Sequence, residues 1–300
     1  MSETSSDFPA VPRRRDHLGR REGALNLLYL LGTHAALGTW FWLAGGVLPL
    51  ALWLPASVLV CVIHQRAMSE WIHEAAHFNL VPDRRWNDSL GNALAAFAFV
   101  TTTRRYRESH FRHHAREDFF VPEDDDTGMH TIASRREFRR ELRRDAVGLS
   151  ALTTYRRIGQ RTAGVPRSAR ELAETAVPHL VLLGWLLLVG RPEVYLLYYG
   201  TLATAYPVVN RLRFYGQHVK LGDGGTVRVA GSDVSRTIEA SVLDRLFLTS
   251  TLLLYHHEHH RHPHLPYRAL PLLCERAADP NRYLASRWVL LRRLYAGLPR

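Results

Sequence analysis

ALNLLYLLGTHAALGTWFWLAGGVLPLALWLPASVLVCVI, residues 24–63, contains no Asp, Glu, Lys or Arg over 40 positions. An α-helix rises about 1.5 Å per residue, so about 20 apolar residues cross the roughly 30 Å hydrocarbon core of a bilayer. Gly45-Gly46 and Pro49 interrupt the run near its middle, which predicts two spans, about 24–43 and 47–64, joined by a tight turn. A second pair, about 175–190 and 194–210, is separated by Arg191-Pro192-Glu193. Each of these lies near the short limit of about 17 residues for a span, so both are expected to extend into polar flanks. Two further apolar runs, 89–103 and 246–255, are too short to cross and are expected to be interfacial or buried helices. The predicted fold is all-α integral membrane, with four transmembrane helices in two hairpins and a helical cytoplasmic cap.

Charge sets the orientation. The formal net charge is +11, and Lys220 is the one lysine among the 39 basic residues. Most of the arginines fall in 12–21, 104–170 and 261–300, flanking the apolar pairs, and only Arg191 occupies an inter-span loop. That is the positive-inside distribution. It predicts a multi-pass protein of the cell inner membrane or its equivalent, with both termini and the middle segment cytoplasmic. The basic surface then meets anionic headgroups, so no nucleic acid is expected as a partner. Three regions follow: a basic tail (1–23), a membrane domain (24–278) and a basic amphipathic C-terminal helix (279–300) carrying Trp288, Leu291, Leu294 and Tyr295. The tail is not followed by a small-residue cleavage site, so the segment from Ala24 is expected to be a retained anchor. Two cysteines, Cys61 and Cys274, exclude an iron–sulfur ligand set and a disulfide framework.

The 17 histidines are grouped. His73 and His77 are four residues apart in HEAAH, the pattern of a zinc protease with Glu74 as general base. His110, His113 and His114 form H-x-x-H-H, and His256, His259 and His260 repeat it. Residues i, i+3 and i+4 share a helix face, so each cluster can aim several imidazoles at one point. Each also begins beside a predicted span or apolar run, where converging helices could join them. Eight imidazoles exceed the three protein ligands of a catalytic zinc, and two metals are the natural inference. Imidazole alone leaves zinc, iron, copper and nickel open. Lone histidines on apolar faces, His34, His64 and His179, are expected to be hydrogen-bonded packing residues. His17, His130, His257, His262 and His264 are expected at the surface or behind the ligands.

In this order and at these positions relative to the spans, the three motifs resemble the histidine boxes of the membrane fatty acid desaturase superfamily, the three-box non-haem di-iron desaturases and hydroxylases. Residues 255–267 run from the third box into a proline-containing tail, and 210–218 is similar to an N-x-x-R-x-x-x-x-H segment of that family. The resemblance covers roughly residues 25–270. It implies two iron ions held by His73, His77, His110, His113, His114, His218, His256, His259 and His260. Carboxylates are expected to orient such ligands; Glu70, Glu74, Asp118 and Glu258 are the candidates by proximity, and the resemblance adds Asn210. Arg261 stands where many relatives have leucine, and the segment 119–126 differs from their DP-rich version, which leaves the subfamily and substrate open.

The implied reaction is O₂-dependent insertion of a double bond into a fatty-acyl or lipid-linked acyl chain, delivered as acyl-lipid, acyl-CoA or acyl-carrier protein. No catalytic group separate from the metal ligands is expected. The sequence has no haem-binding HPGG segment, iron–sulfur set or G-x-G-x-x-G, so electrons must come from a ferredoxin with its reductase or a cytochrome b5-type donor. The same boxes would serve a hydroxylase or ketolase of a carotenoid, alkane or other apolar substrate. A membrane zinc hydrolase using HEAAH is the remote alternative. It expects an intramembrane Asp ligand, and the four apolar runs contain no Asp or Glu. If Glu74 supports a ligand and is not a general base, Glu74→Gln will impair product formation far less than His77→Ala in a turnover assay.

Overall fold

The computed structural model describes residues 12–44, 46–115, 132, 134–153, 167–221, 227–229, 235–249, 251–274, 283–284 and 287–299. Within them the chain is helical: α1 (Arg14–His17), α2 (Arg20–Ala44), α3 (Leu50–Ala76), α4 (Arg84–Leu94), α5 (Thr103–Ala115), α6 (Arg135–Ala146), α7 (Ala169–Leu188), α8 (Glu193–Ala203), α9 (Ala205–His218), α10 (His256–Arg261) and α11 (Arg287–Gly297). Strand is confined to two short pairs, β1 (Val219–Leu221) antiparallel to β2 (Val227–Val229), and β3 (Thr237–Ile238) parallel to β4 (Tyr283–Leu284).

Among the described residues, three helices, α2, α3 and α7, are long and apolar enough to cross a membrane. Leu28, Trp42, Leu52, Leu180 and Leu188 on them are exposed, as lipid-facing side chains would be. The expected fourth span, 194–210, is two helices broken at Thr204, whose φ of −120° and ψ of −77° leave the helical region. Pro207 explains the break. It has no N–H for the Ala203 carbonyl four residues earlier, and its ring crowds that carbonyl.

α3 continues 12 residues beyond the predicted end of its span, and 65–76 is buried throughout. Neighbours partner several of its polar groups there. Gln65 donates to the Tyr198 carbonyl at 2.7 Å, and Arg66 pairs with Glu70 at 3.1 Å. The apolar core of α2, α3 and α8, including Leu30, Met68, Trp71 and Tyr198, surrounds this stretch. His34 Nε2 lies 2.7 Å from the Leu94 carbonyl, His34 Nδ1 lies 3.0 Å from His64 Nε2, and His64 Nδ1 lies 2.9 Å from the Tyr198 hydroxyl. A carbonyl only accepts, so the whole chain of donors is fixed: His34 Nε2–H, then His64 Nε2–H, then the Tyr198 hydroxyl. His179 Nδ1 meets the Tyr195 hydroxyl at 3.0 Å. All three lone histidines are thus hydrogen-bonded packing residues.

The helices that follow α3 and α9 gather around the C-terminal half of α3. α11 is a packing element: Leu291, Leu294 and Leu298 are buried against Phe138, Phe214 and Tyr215 of α6 and α9. Asp145 of α6 and Arg211 of α9 form a buried ion pair. Gly91 of α4 packs closely against the site helices. A methyl group there would sit 2.6 Å from Thr103 Oγ1 at the start of α5 and 2.9 Å from Ala75 Cβ of α3. Gly91→Val should therefore destabilise the protein by about 1–3 kcal/mol, visible as a lowered thermal midpoint in detergent.

Candidate metal centre

α3 carries His73 and its last turn delivers His77, which caps the helix. The end is shaped by the backbone. Phe78 has a φ of 61°, its N–H reaches the Ala75 carbonyl at 3.1 Å, and the Asn79 N–H reaches Glu74 at 2.8 Å. This is a Schellman ending with phenylalanine where glycine is usual, a conformation that costs a side-chain-bearing residue about 1–2 kcal/mol. Neighbours hold it. The Arg107 guanidinium lies 3.7 Å from the Phe78 ring centroid, and donates to the Ala76 carbonyl at 2.6 Å and the Ala75 carbonyl at 3.1 Å. Asp88 anchors Arg107, and Asn87 bonds both the Ala75 carbonyl and the Leu80 N–H. Asn79 donates to the Leu265 carbonyl at 3.0 Å, tying this end to the tail of the third motif.

α5 supplies His110 and His114 from one face, its start fixed by Thr103 N–H donating to Asn92 Oδ1 at 2.7 Å. α10 supplies His256, His259 and His260, and α9 supplies His218. Their nitrogens fall into two groups: His73, His77, His110, His114 and His259 in one, and His218, His256 and His260 in the other, each with ligand atoms within 4.8 Å of one another. The groups adjoin, with the rings of His114 and His260 4.5 Å apart. On α10, His256 and His260 turn to one group while His259, about 100° of rotation from His260, turns to the other. H-x-x-H-H thereby straddles two centres. His113 lies on α5, but its side chain is outside the described residues.

The nitrogen contacts test whether this is a hydrogen-bond network. His77, His114 and His110 meet through Nε2 atoms at 2.9 and 3.0 Å, and His114 also meets His259 Nε2 at 3.1 Å. In the second group His256 Nε2 faces His218 Nε2 at 2.7 Å and His260 Nε2 at 3.0 Å. One ring nitrogen has either one proton or one in-plane lone pair, so it cannot bond two in-plane neighbours at once. Both nitrogens of buried His73 have no hydrogen-bond partner. Lone pairs converging on common points fit metal cations. Burial, with the nearby His73, His77, His114 and His260, holds His259 well below the ordinary histidine range, which keeps it neutral and able to ligate.

The supporting carboxylates divide. Glu74 is buried with Oε1 3.5 Å from His73 Nδ1 and Oε2 accepting the Tyr267 N–H at 3.3 Å. It therefore lies behind His73 and away from solvent. Glu70 pairs with Arg66, and Glu258 accepts the Thr237 hydroxyl, fastening α10 to β3. Asn210 is on α9, two turns before His218, with a buried Oδ1 that has no hydrogen-bond partner. Asp118 lies outside the described residues. His257 bonds Ser235, and the His262 and His264 rings pair with each other. Arg107, Asn79, Asn87 and Tyr267 went unread in the sequence; no spacing rule marks residues that act on a backbone turn from other segments.

A family model described as "Fatty acid desaturase" matches residues 48–289. A search of the curated proteins finds no match. Removing the clamp on the His77 turn should loosen the ligands. Arg107→Ala is expected to lower metal affinity about 10–100-fold, the range for residues that orient ligands, as measured by competition with a chromophoric chelator.

Proposed function

The chain belongs to the fatty acid desaturase family, and we propose that it is an O₂-dependent di-iron desaturase forming a double bond in a fatty-acyl or lipid-linked acyl chain. The observation that carries this reading is the two adjoining sets of imidazoles whose lone pairs converge. Iron held there would supply the redox change that O₂ reduction requires, which zinc lacks. The balance is one O₂, two external electrons and two protons, together with two hydrogens from the acyl chain, giving two waters and the new double bond.

The protein's own groups do the rest. Neutral His259 offers a lone pair at neutral pH, and the Glu74 carboxylate behind His73 supports the orientation of that ring. Burial of His73, His77, His110, His218, His256 and His259 excludes bulk water from the oxidising centre. α2, α3 and α7 would fix the protein in the bilayer, α8 and α9 together would make a fourth crossing, and the helices around the site would form the cytoplasmic cap. Electrons would come from an acidic ferredoxin or cytochrome b5-type donor. The exposed Arg136, Arg139, Arg140 and Arg143 of α6 support such docking by charge complementarity.

The test is the lipid profile of cells expressing the chain with a matched ferredoxin and reductase. Gas chromatography–mass spectrometry should show a new double bond, lost in His110→Ala. An inserted oxygen in place of the double bond identifies a hydroxylase or ketolase on the same site. Profiles identical with and without the chain contradict the proposal.

A further inference from the structure

Beside the histidine groups lies a set of buried charges that the metal centre does not use. Arg287, the first residue of α11, is fully buried, and none of its three guanidinium nitrogens has a hydrogen-bond partner. Its position is set by Gly216 of α9. A methyl group on that glycine would lie 2.6 Å from Arg287 Nε and 2.9 Å from its Cγ and Cδ, so the arginine stem fills the glycine's vacant side. Arg213, one turn earlier on α9, has two buried guanidinium nitrogens, Nε and Nη1, likewise without partners. The carboxylates near them are already committed or one-sided. Glu70 pairs with Arg66. Asp244 turns Oδ2 to the Ser241 N–H at 3.1 Å and hydroxyl at 2.7 Å, while its buried Oδ1 has no partner.

An unpaired buried guanidinium is costly, because its desolvation is not offset by a counter-charge or by hydrogen bonds. Burial pushes Arg287 down to about 10, with Asp244 and Glu70 acting upward and Arg213 downward, which leaves it charged near neutrality. Among the described residues the cluster therefore has three cations, Arg66, Arg213 and Arg287, against two anions, Glu70 and Asp244. The surplus is one positive charge, together with donors aimed at nothing. Guanidinium groups match the planar, two-oxygen geometry of a carboxylate.

We propose that Arg287 and Arg213 form a buried site for one carboxylate group, at the junction of α3, α9 and the turn Asp244–Leu248. The place gives the site a use. Glu70 precedes His73 by three residues on α3, and Arg213 precedes His218 by five on α9. A molecule anchored there by its acid end would present carbons close to that end to the histidines. The substrate class is then a free carboxylic acid with an apolar tail. This second step rests on the oxygenase reading, whereas binding of a small carboxylate does not.

The full chain in detergent, metal-loaded and without O₂ or reductant, is titrated calorimetrically with sodium acetate, sodium hexanoate and uncharged hexanamide. Saturable binding of hexanoate without binding of hexanamide is expected. Tighter binding of hexanoate than of acetate assigns the site to a substrate's carboxylate, and equal binding assigns it to a small free anion. Arg287→Met should weaken hexanoate about 10–100-fold, the worth of charged hydrogen bonds, and should keep or raise the anion-free thermal midpoint, since an uncompensated charge is removed. Arg213→Gln, on a partly exposed residue, should weaken hexanoate similarly if Arg287→Met does not fold. Absence of saturable carboxylate binding in the folded wild type overturns the proposal, as does undiminished hexanoate binding in a folded variant. No turnover is read, so a failed oxygenase assay and a failed anion site are separate results.

Discussion

A ring nitrogen can satisfy one in-plane neighbour, and this protein brings buried histidine nitrogens together two and three at a time. Such an arrangement has no internal solution in hydrogen bonds. A cation held at each group would turn the mutual crowding of lone pairs into attraction, and H-x-x-H-H on α10 divides its imidazoles between the two groups. Helix packing, capping and burial around the site can all be understood as holding this otherwise unfavourable arrangement in place.

The holding is distributed over distant segments. α3 carries His73 from the apolar layer to the site in one uninterrupted helix, and its ending at Phe78 is stabilised by Arg107, Asn87 and Asn79. The tail after the third motif returns to the first through the Leu265 carbonyl and the Tyr267 N–H, so the first and third motifs share one scaffold. Gly91 and Gly216 matter for the opposite reason, since each leaves room where a side chain would push a helix or an arginine away. The same neighbourhood leaves Arg287 charged and without a hydrogen bond, and so marks a place for a carboxylate beside the metal centre.

Much of this was legible in the residues. Apolar length located α2, α3 and α7, and i, i+3, i+4 spacing selected the histidines that the structure brings together, except His218, which only the family resemblance supplied. The break at Thr204 had a visible cause in Pro207, but an apolar run alone hides it. The extent of α3 was harder to read, because Gln65, Arg66 and Glu70 look like the end of a span. Inside the structure Gln65 donates to the Tyr198 carbonyl and Arg66 pairs with Glu70, contacts that no local pattern announces. Glu74 could be read as protease base or supporting carboxylate, and the sequence did not show that it faces Tyr267 and His73. Arg107 and Arg287 were invisible for a common reason: their partners are a backbone turn and a glycine far away in sequence.

The central claim is that the two histidine groups are two separate metal positions of the same redox-active kind. Metal analysis by inductively coupled plasma mass spectrometry on the purified full chain tests it most directly, with His77→Ala and His256→Ala measured alongside. The account predicts about two irons per wild-type chain and about one in each variant. One zinc and no iron in the wild type, unaffected by His256→Ala, would contradict it.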